Sequence, residues 1–133
     1  MALAHLQPGQ AASVQPYGSA LAQQATHALF KSSQLEVVRI VLLQGQTLPS
    51  HHVPGAITIQ CIEGVVDVQF ELASAAEQFS SCHGGCNAVI WPRPVPSTHT
   101  RLQAGELLYL PGGTPHALAA VEDASVLVTI VLP

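Results

Sequence analysis

Short runs of β-branched and aliphatic residues, separated by Gly- and Pro-rich breaks, set the pattern of this chain. Val37, Val38, Ile40, Val41, Leu42 and Leu43 form one such run, interrupted by Arg39, and read as a strand with little helical signal. Gly45 and Gln46 then mark a turn, and Pro49, which has no backbone N–H to donate, is expected to end regular pairing. Ala56 to Ile62 and Val65 to Leu72 are two further strands, joined at Glu63-Gly64 as a hairpin. Leu102 to Leu110 and Ala117 to Leu132 return to strand chemistry on either side of the turn-forming Pro111-Gly112-Gly113-Thr114-Pro115. Helical periodicity is nearly absent, although Leu72 to Phe79 could hold a turn or two, and no repeat of fixed period occurs. Many short strands with Gly/Pro turns predict an all-β sandwich or barrel.

Two stretches depart from that pattern. Met1 to about Gln23 is rich in Ala, Gln, Gly and Pro without a sustained period. It predicts an N-terminal arm over residues 1–25, flexible or draped over a partner, ahead of a barrel at 26–133. Ala73 to Thr100 contains Ser, Gly, Pro, Cys82 and Cys86 with a small apolar island at Ala88 to Trp91, and reads as a long inserted loop at about 73–100. Connections of that length inside a compact domain are usually functional or mobile.

Composition narrows the function. At 133 residues the chain suits one domain with a real core. Only 9% of residues are charged, against about 25% in typical soluble domains. Some apolar surface is therefore expected to lie against a second copy, as a homodimer. The net charge is −4, and the four basic residues Lys31, Arg39, Arg93 and Arg101 are scattered, with no basic stripe to answer phosphates. That excludes nucleic acid and anionic membrane surfaces as expected partners and leaves small molecules. The longest apolar runs are too short to span a bilayer, and the start lacks signal-peptide character, so a cytoplasmic protein is expected. The odd count of three cysteines fits a reducing compartment.

The candidate chemistry lies in histidines at strand entries. His51 and His52 precede one strand and His116 directly follows the Gly/Pro turn before another. Imidazoles from two strand starts can converge on one metal ion. His5 and His27 read as solvated side chains. In a regular strand Ile57, Ile59 and Cys61 share one face, while Thr58, Gln60 and Ile62 share the other. Tyr109 reaches either a pocket or the outer face. Cys82-His83-Gly84-Gly85-Cys86, with His99 further on, reads as a surface loop, a zinc site or a lid. No Ser-His-Asp order, G-x-S-x-G elbow or phosphate-cradling loop is present.

These segments carry a family resemblance. Gly105-Glu-Leu-Leu-Tyr-Leu-Pro111-Gly-Gly113-Thr-Pro-His116 matches the second cupin motif, G-x5-P-x-G-x2-H, at each fixed position. Gly45, His51 and Gly64 match the frame of the first, G-x5-H-x-H-x3-4-E-x6-G. Over residues 26–72 and 101–132 the chain resembles small single-domain bacterial cupins. The resemblance implies an all-β, single cupin jelly-roll β-barrel with little helix, an internal pocket, and commonly a divalent transition metal (Fe, Mn, Ni or Zn). Its usual ligands are two histidines and a glutamate from the first motif and a histidine from the second, here beginning at His51 and ending at His116. The second histidine position is Val53 and the glutamate position is Ile57, neither of which can ligate. Gln60 replaces the carboxylate only if a bulge re-aims it.

A metal site would then consist of His51, His52 and His116, with Ile57, Ile59, Cys61 and Tyr109 lining the substrate pocket. Two functions follow. One is a metal-dependent enzyme on a small molecule, of dioxygenase or isomerase type, with no acid or base assigned. The other is a non-catalytic small-molecule binding or sensor cupin without metal. A dimeric scaffold with a vestigial pocket is a third. The fold hosts many unrelated activities and does not choose among them.

Overall fold

Alternate side chains of β4 (Ile57–Glu63) and β5 (Val65–Glu71) turn inward, so that Ile59, Cys61, Val66 and Val68 lose all contact with solvent. Burying an aliphatic side chain of this kind contributes about 1.5–3 kcal/mol. The computed structural model describes residues 5–72 and 97–133. Its other strands are β1 (His27–Lys31), β2 (Leu35–Leu42), β3 (Thr47–His51), β6 (Ser97–Gln103), β7 (Leu107–Leu110), β8 (His116–Ala120) and β9 (Ala124–Val131). They form two antiparallel sheets, β1-β2-β9-β4-β7 and β3-β8-β5-β6, whose inner faces share one apolar core. The all-β barrel expected from the pattern is the architecture observed. Among the described residues no helix is long and apolar enough to cross a membrane.

The two long runs read as strands each divide between the sheets. Leu102 to Leu110 turns at Gly105, which takes a φ of 89°, and passes from β6 in one sheet to β7 in the other. Ala117 to Leu132 likewise turns at 121–123 and passes from β8 to β9. Gly64 joins β4 to β5 at a φ of 79°, with the Asp123 carbonyl where a side chain would stand. Pro49 does not end pairing as expected. It sits inside β3, where the register with β8 shifts between Leu48 and His51. β3 is an edge strand, and a missing donor is tolerated at an edge or a bulge.

The N-terminal arm lies across its own barrel. The Leu6 N–H donates to the Leu29 carbonyl at 2.8 Å, and Leu21 is buried within a 3-10 turn at Gly18–Gln23. The anchor is Arg39, only 2% exposed on the outer face of β2. Its guanidinium donates to the Gln15 carbonyl (2.7 Å), to Ser125 Oγ (3.1 Å) and to Glu63 Oε2 (3.2 Å), and lies 3.7 Å from the centre of the Tyr17 ring. Glu63 reaches this face because the β4–β9 register shifts between Cys61 and Glu63. It accepts the backbone N–H groups of Tyr17 (2.9 Å) and Gly18 (3.1 Å) and the Ser125 hydroxyl (2.6 Å). Burial works against its ionisation, but these donors and the Arg39 charge outweigh it and hold the carboxyl below the usual range. A buried arginine and a carboxylate thus fix an arm whose composition suggested mobility.

Candidate functional site

The two histidine-bearing segments meet at one end of the barrel. His51 closes β3, His116 opens β8, and the two are direct partners in the antiparallel ladder. Their ring centroids are 4.4 Å apart with planes inclined at 54°. Each ring is tethered to the backbone two residues earlier: His51 Nδ1 lies 3.1 Å from the Pro49 carbonyl and His116 Nδ1 lies 2.9 Å from the Thr114 carbonyl. A carbonyl only accepts, so in a neutral ring Nδ1 carries the hydrogen and Nε2 keeps its lone pair. Pro49 within β3 and Thr114 in the turn before β8 therefore impose the same tautomer.

The loops behind the rings are fastened to each other. The Gly113 N–H donates to the Val53 carbonyl at 2.7 Å, with Gly113 at a φ of 77°. Gly112 packs against the Pro54 carbonyl so closely that a Cβ would collide with it, and Gly55 abuts Val131 in the same way. Thr114 turns its hydroxyl back to the Pro111 carbonyl at 2.8 Å. The glycines of the Pro111–Pro115 turn are thus needed for close contact as well as for bending.

Below the rings lies a cavity of about 90 Å³. Of the eleven described residues that line it, nine are aliphatic and the other two are His51 and His116. Val38 and Ile40 come from β2, Ile57 and Ile59 from β4, and Val128 and Ile130 from β9. Leu48, Val53 and Leu118 complete the wall beneath the rim. His51 is exposed at the mouth, whereas His116 is 4% exposed. Burial pushes the His116 imidazole below its usual pKa, and the neighbouring His51 and His52 add to this, while the Thr114 carbonyl opposes it.

The sequence candidates separate cleanly. Ile57 and Ile59 line the cavity, while Cys61, on the same strand face, lies in the sealed core. The Cys61 thiol points to the Glu63 and Gly64 carbonyls, and burial pushes its pKa up. Tyr109 is not among the described residues that line this cavity: it is 63% exposed, because the inward position of that strand end belongs to its neighbour Leu110, at 1%. Gln60 is exposed, with no bulge to re-aim it between Ile57 and Cys61. His52 is exposed and outside the cavity lining, its side chain parted from that of His51 by one step along the chain. Cys82, His83 and Cys86 lie outside the described residues. Sequence reasoning missed Val38, Ile40, Val128 and Ile130, although the parity of β2 and β9 carries that signal.

The donors near the mouth are those of an incomplete metal site. Catalytic zinc sites, for comparison, have three protein ligands and an open position. Here two imidazoles face one another, and the positions that the cupin motif gives to further ligands are Val53 and Ile57, both in the aliphatic wall. Among the described residues, no group of three or more His, Cys, Asp or Glu side chains is placed to hold a metal. The described residues do not fit a resident ion.

No family model matches the chain, and no curated protein matches it. Solved structures do. A conserved protein of unknown function from Streptococcus pyogenes is 20% identical, with a TM-score of 0.64 over 100% of this chain and 98% of that one. A cupin superfamily protein from Desulfitobacterium hafniense is 13% identical, with a TM-score of 0.63 over 92% and 94% of the two chains. The Bacillus subtilis oxalate decarboxylase, described with Mn(II) centres, is 23% identical with a TM-score of 0.57, over 75% of this chain and 22% of that one.

Proposed function

The chain has the cupin fold, and on that premise we propose that it binds a small molecule in the histidine-capped cavity without a resident metal. The observation that carries this reading is the composition of the wall. Val53 and Ile57 stand in it at the positions of metal-ligand residues, and His51 and His116 are its only polar members among the described residues. An apolar cavity with a few polar groups at one pole is the general form of a small-molecule site. The protein then acts as a binding or sensing module. A homodimer accompanies the reading, since Leu107 and Tyr109 stand 62% and 63% exposed on the outside of an edge strand. Light scattering on the wild type and on Tyr109→Lys tests that part, with a dimer expected for the first and a monomer for the second.

The pocket itself is tested by titrating small neutral organic molecules into methyl-labelled protein. Shifts confined to Ile57, Ile59, Val128 and Ile130 are expected. A mixed set of such molecules that leaves all four signals unmoved sinks the reading. The metal-dependent enzyme built on His51, His52 and His116 draws support from the two tethered imidazoles and from the Mn(II) centres of the oxalate decarboxylase, but it needs a third donor. A full equivalent of metal in protein purified without chelator, lost in both His51→Ala and His116→Ala, would replace the first reading by the second.

A further inference from the structure

We propose that the cavity selects a neutral molecule ending in a hydroxyl group, whose apolar end points inward and whose O–H is donated to Nε2 of His116. This inference deepens the proposed function and rests on it. Three features of the site determine the ligand class.

The first is charge. Among the described residues, no Asp, Glu, Lys or Arg lines the cavity. An ionic ligand would lose its hydration there without a countercharge, which costs far more than the aliphatic wall returns. The second is hydrogen-bond polarity. Both Nδ1 atoms are committed as donors to the Pro49 and Thr114 carbonyls, and neither Nε2 has a partner among the described residues. A neutral imidazole held in this way keeps an acceptor at Nε2 and has no donor left. A ketone, ether or ester presents only acceptors and leaves that nitrogen unsatisfied, whereas an alcohol or phenol satisfies it.

The third feature is size. The cavity of about 90 Å³ is smaller than the roughly 150 Å³ apolar cavity that accommodates benzene. A short branched or linear chain fits inside, with the hydroxyl at the level of the rings. An aromatic ring would have to stay partly in the mouth beside the exposed His51.

The test compares three probes of similar size: 2-butanol, 2-butanone and isobutyrate. Each is titrated into the full-length protein while the Ile and Val methyl signals and the His116 Nε2 nitrogen signal are followed by NMR. We expect 2-butanol to bind at least about tenfold more tightly than either of the others and to shift the Nε2 signal in the direction of an accepted hydrogen bond. In His116→Phe, which keeps an aromatic ring at the site, 2-butanol and 2-butanone should bind alike. Equal or tighter binding of 2-butanone or isobutyrate to the wild type overturns the inference, as does an alcohol preference that survives in His116→Phe with the Nε2 signal of the wild type unmoved. If the methyl signals respond to all three probes without preference, the cavity remains a binding site and only the hydroxyl selectivity fails. If they respond to none, the underlying reading of the cavity fails with it.

Discussion

His51 and His116 are partners in the same ladder with rings 4.4 Å apart, yet one stands exposed at the cavity mouth and the other is buried beneath it. The pair is therefore chemically unequal. Burial lowers the His116 pKa, so the folded protein resists taking up a proton there that the unfolded chain accepts.

The sign of the pH effect follows. Above the unfolded imidazole value of about 6.5, neither state is protonated at this position and its contribution to stability is complete. As pH falls from there through the lowered folded value, the unfolded state gains protons first and stability is lost. An NMR titration should place the His116 midpoint below the usual imidazole value, and the urea midpoint of the wild type should fall more steeply over that window than that of His116→Phe. A His116 midpoint at or above 6.5 would contradict this assignment.

Restoring ligands should create what the wall lacks. Val53→His with Ile57→Glu places an imidazole and a carboxylate in the cavity wall beside His51 and His116. The double variant should be less stable than the wild type when metal-free, because an unpaired carboxylate is buried. It should acquire Mn(II) affinity, read as an EPR signal of the bound ion that is absent from identically treated wild type. Equal Mn(II) uptake by both proteins would mean that the native residues already suffice.

Glu63 is expected to matter more than a surface acid. It neutralises an arginine that is 2% exposed and fixes two backbone N–H groups of the arm. Removing one partner of a buried pair leaves the other uncompensated, a loss of about 3 kcal/mol. Glu63→Ala should show that loss in urea unfolding, together with faster amide exchange at Tyr17 and Gly18. Arg39→Met combined with Glu63→Gln should recover part of the stability. Since the Glu63 pKa is lowered on folding, its contribution is present above the ordinary carboxylate range and fades as pH falls through the folded value.

Gly112→Ala tests the fastening between the two loops. Its Cβ would occupy the place of the Pro54 carbonyl, so one loop must move. A loss of about 1–3 kcal/mol is expected, of the size seen when well-packed sites are overfilled. Ligand affinity should weaken in parallel, because the displaced backbone carries the Val53 and His116 segments. Thermal unfolding and the probe titration measure the two effects.

Much of this architecture was legible in the sequence because its signals are local. Ile57, Ile59 and Cys61 alternate with polar residues, and Gly64 marks a turn whose backbone only glycine adopts readily. The Pro-x-Gly-x2-His spacing located His116 because turn chemistry and the ladder position coincide there. What the sequence hid depends on contacts remote in the chain. Pro49 looked like a strand breaker, and only its place on an edge strand makes it permissible. Tyr109 had two faces open to it until the pairing of β7 with β4 fixed Leu110 inward. The arm read as flexible or draped over a partner because its anchors, Arg39, Glu63 and Ser125, lie outside the arm on three different strands.

The glycine contacts behind the rings also bear on timing. With Gly113 bonded to Val53 and Gly112 wedged against Pro54, the described rim has no slack with which to fold over an occupant. Among the described residues no latch adds to the contact energy that retains a guest, and occupancy then follows the ambient concentration closely. Such a pocket reports a fluctuating level instead of storing its ligand, and relaxation-dispersion measurements on the Ile57 and Ile130 methyls should find exchange faster than a closing lid permits.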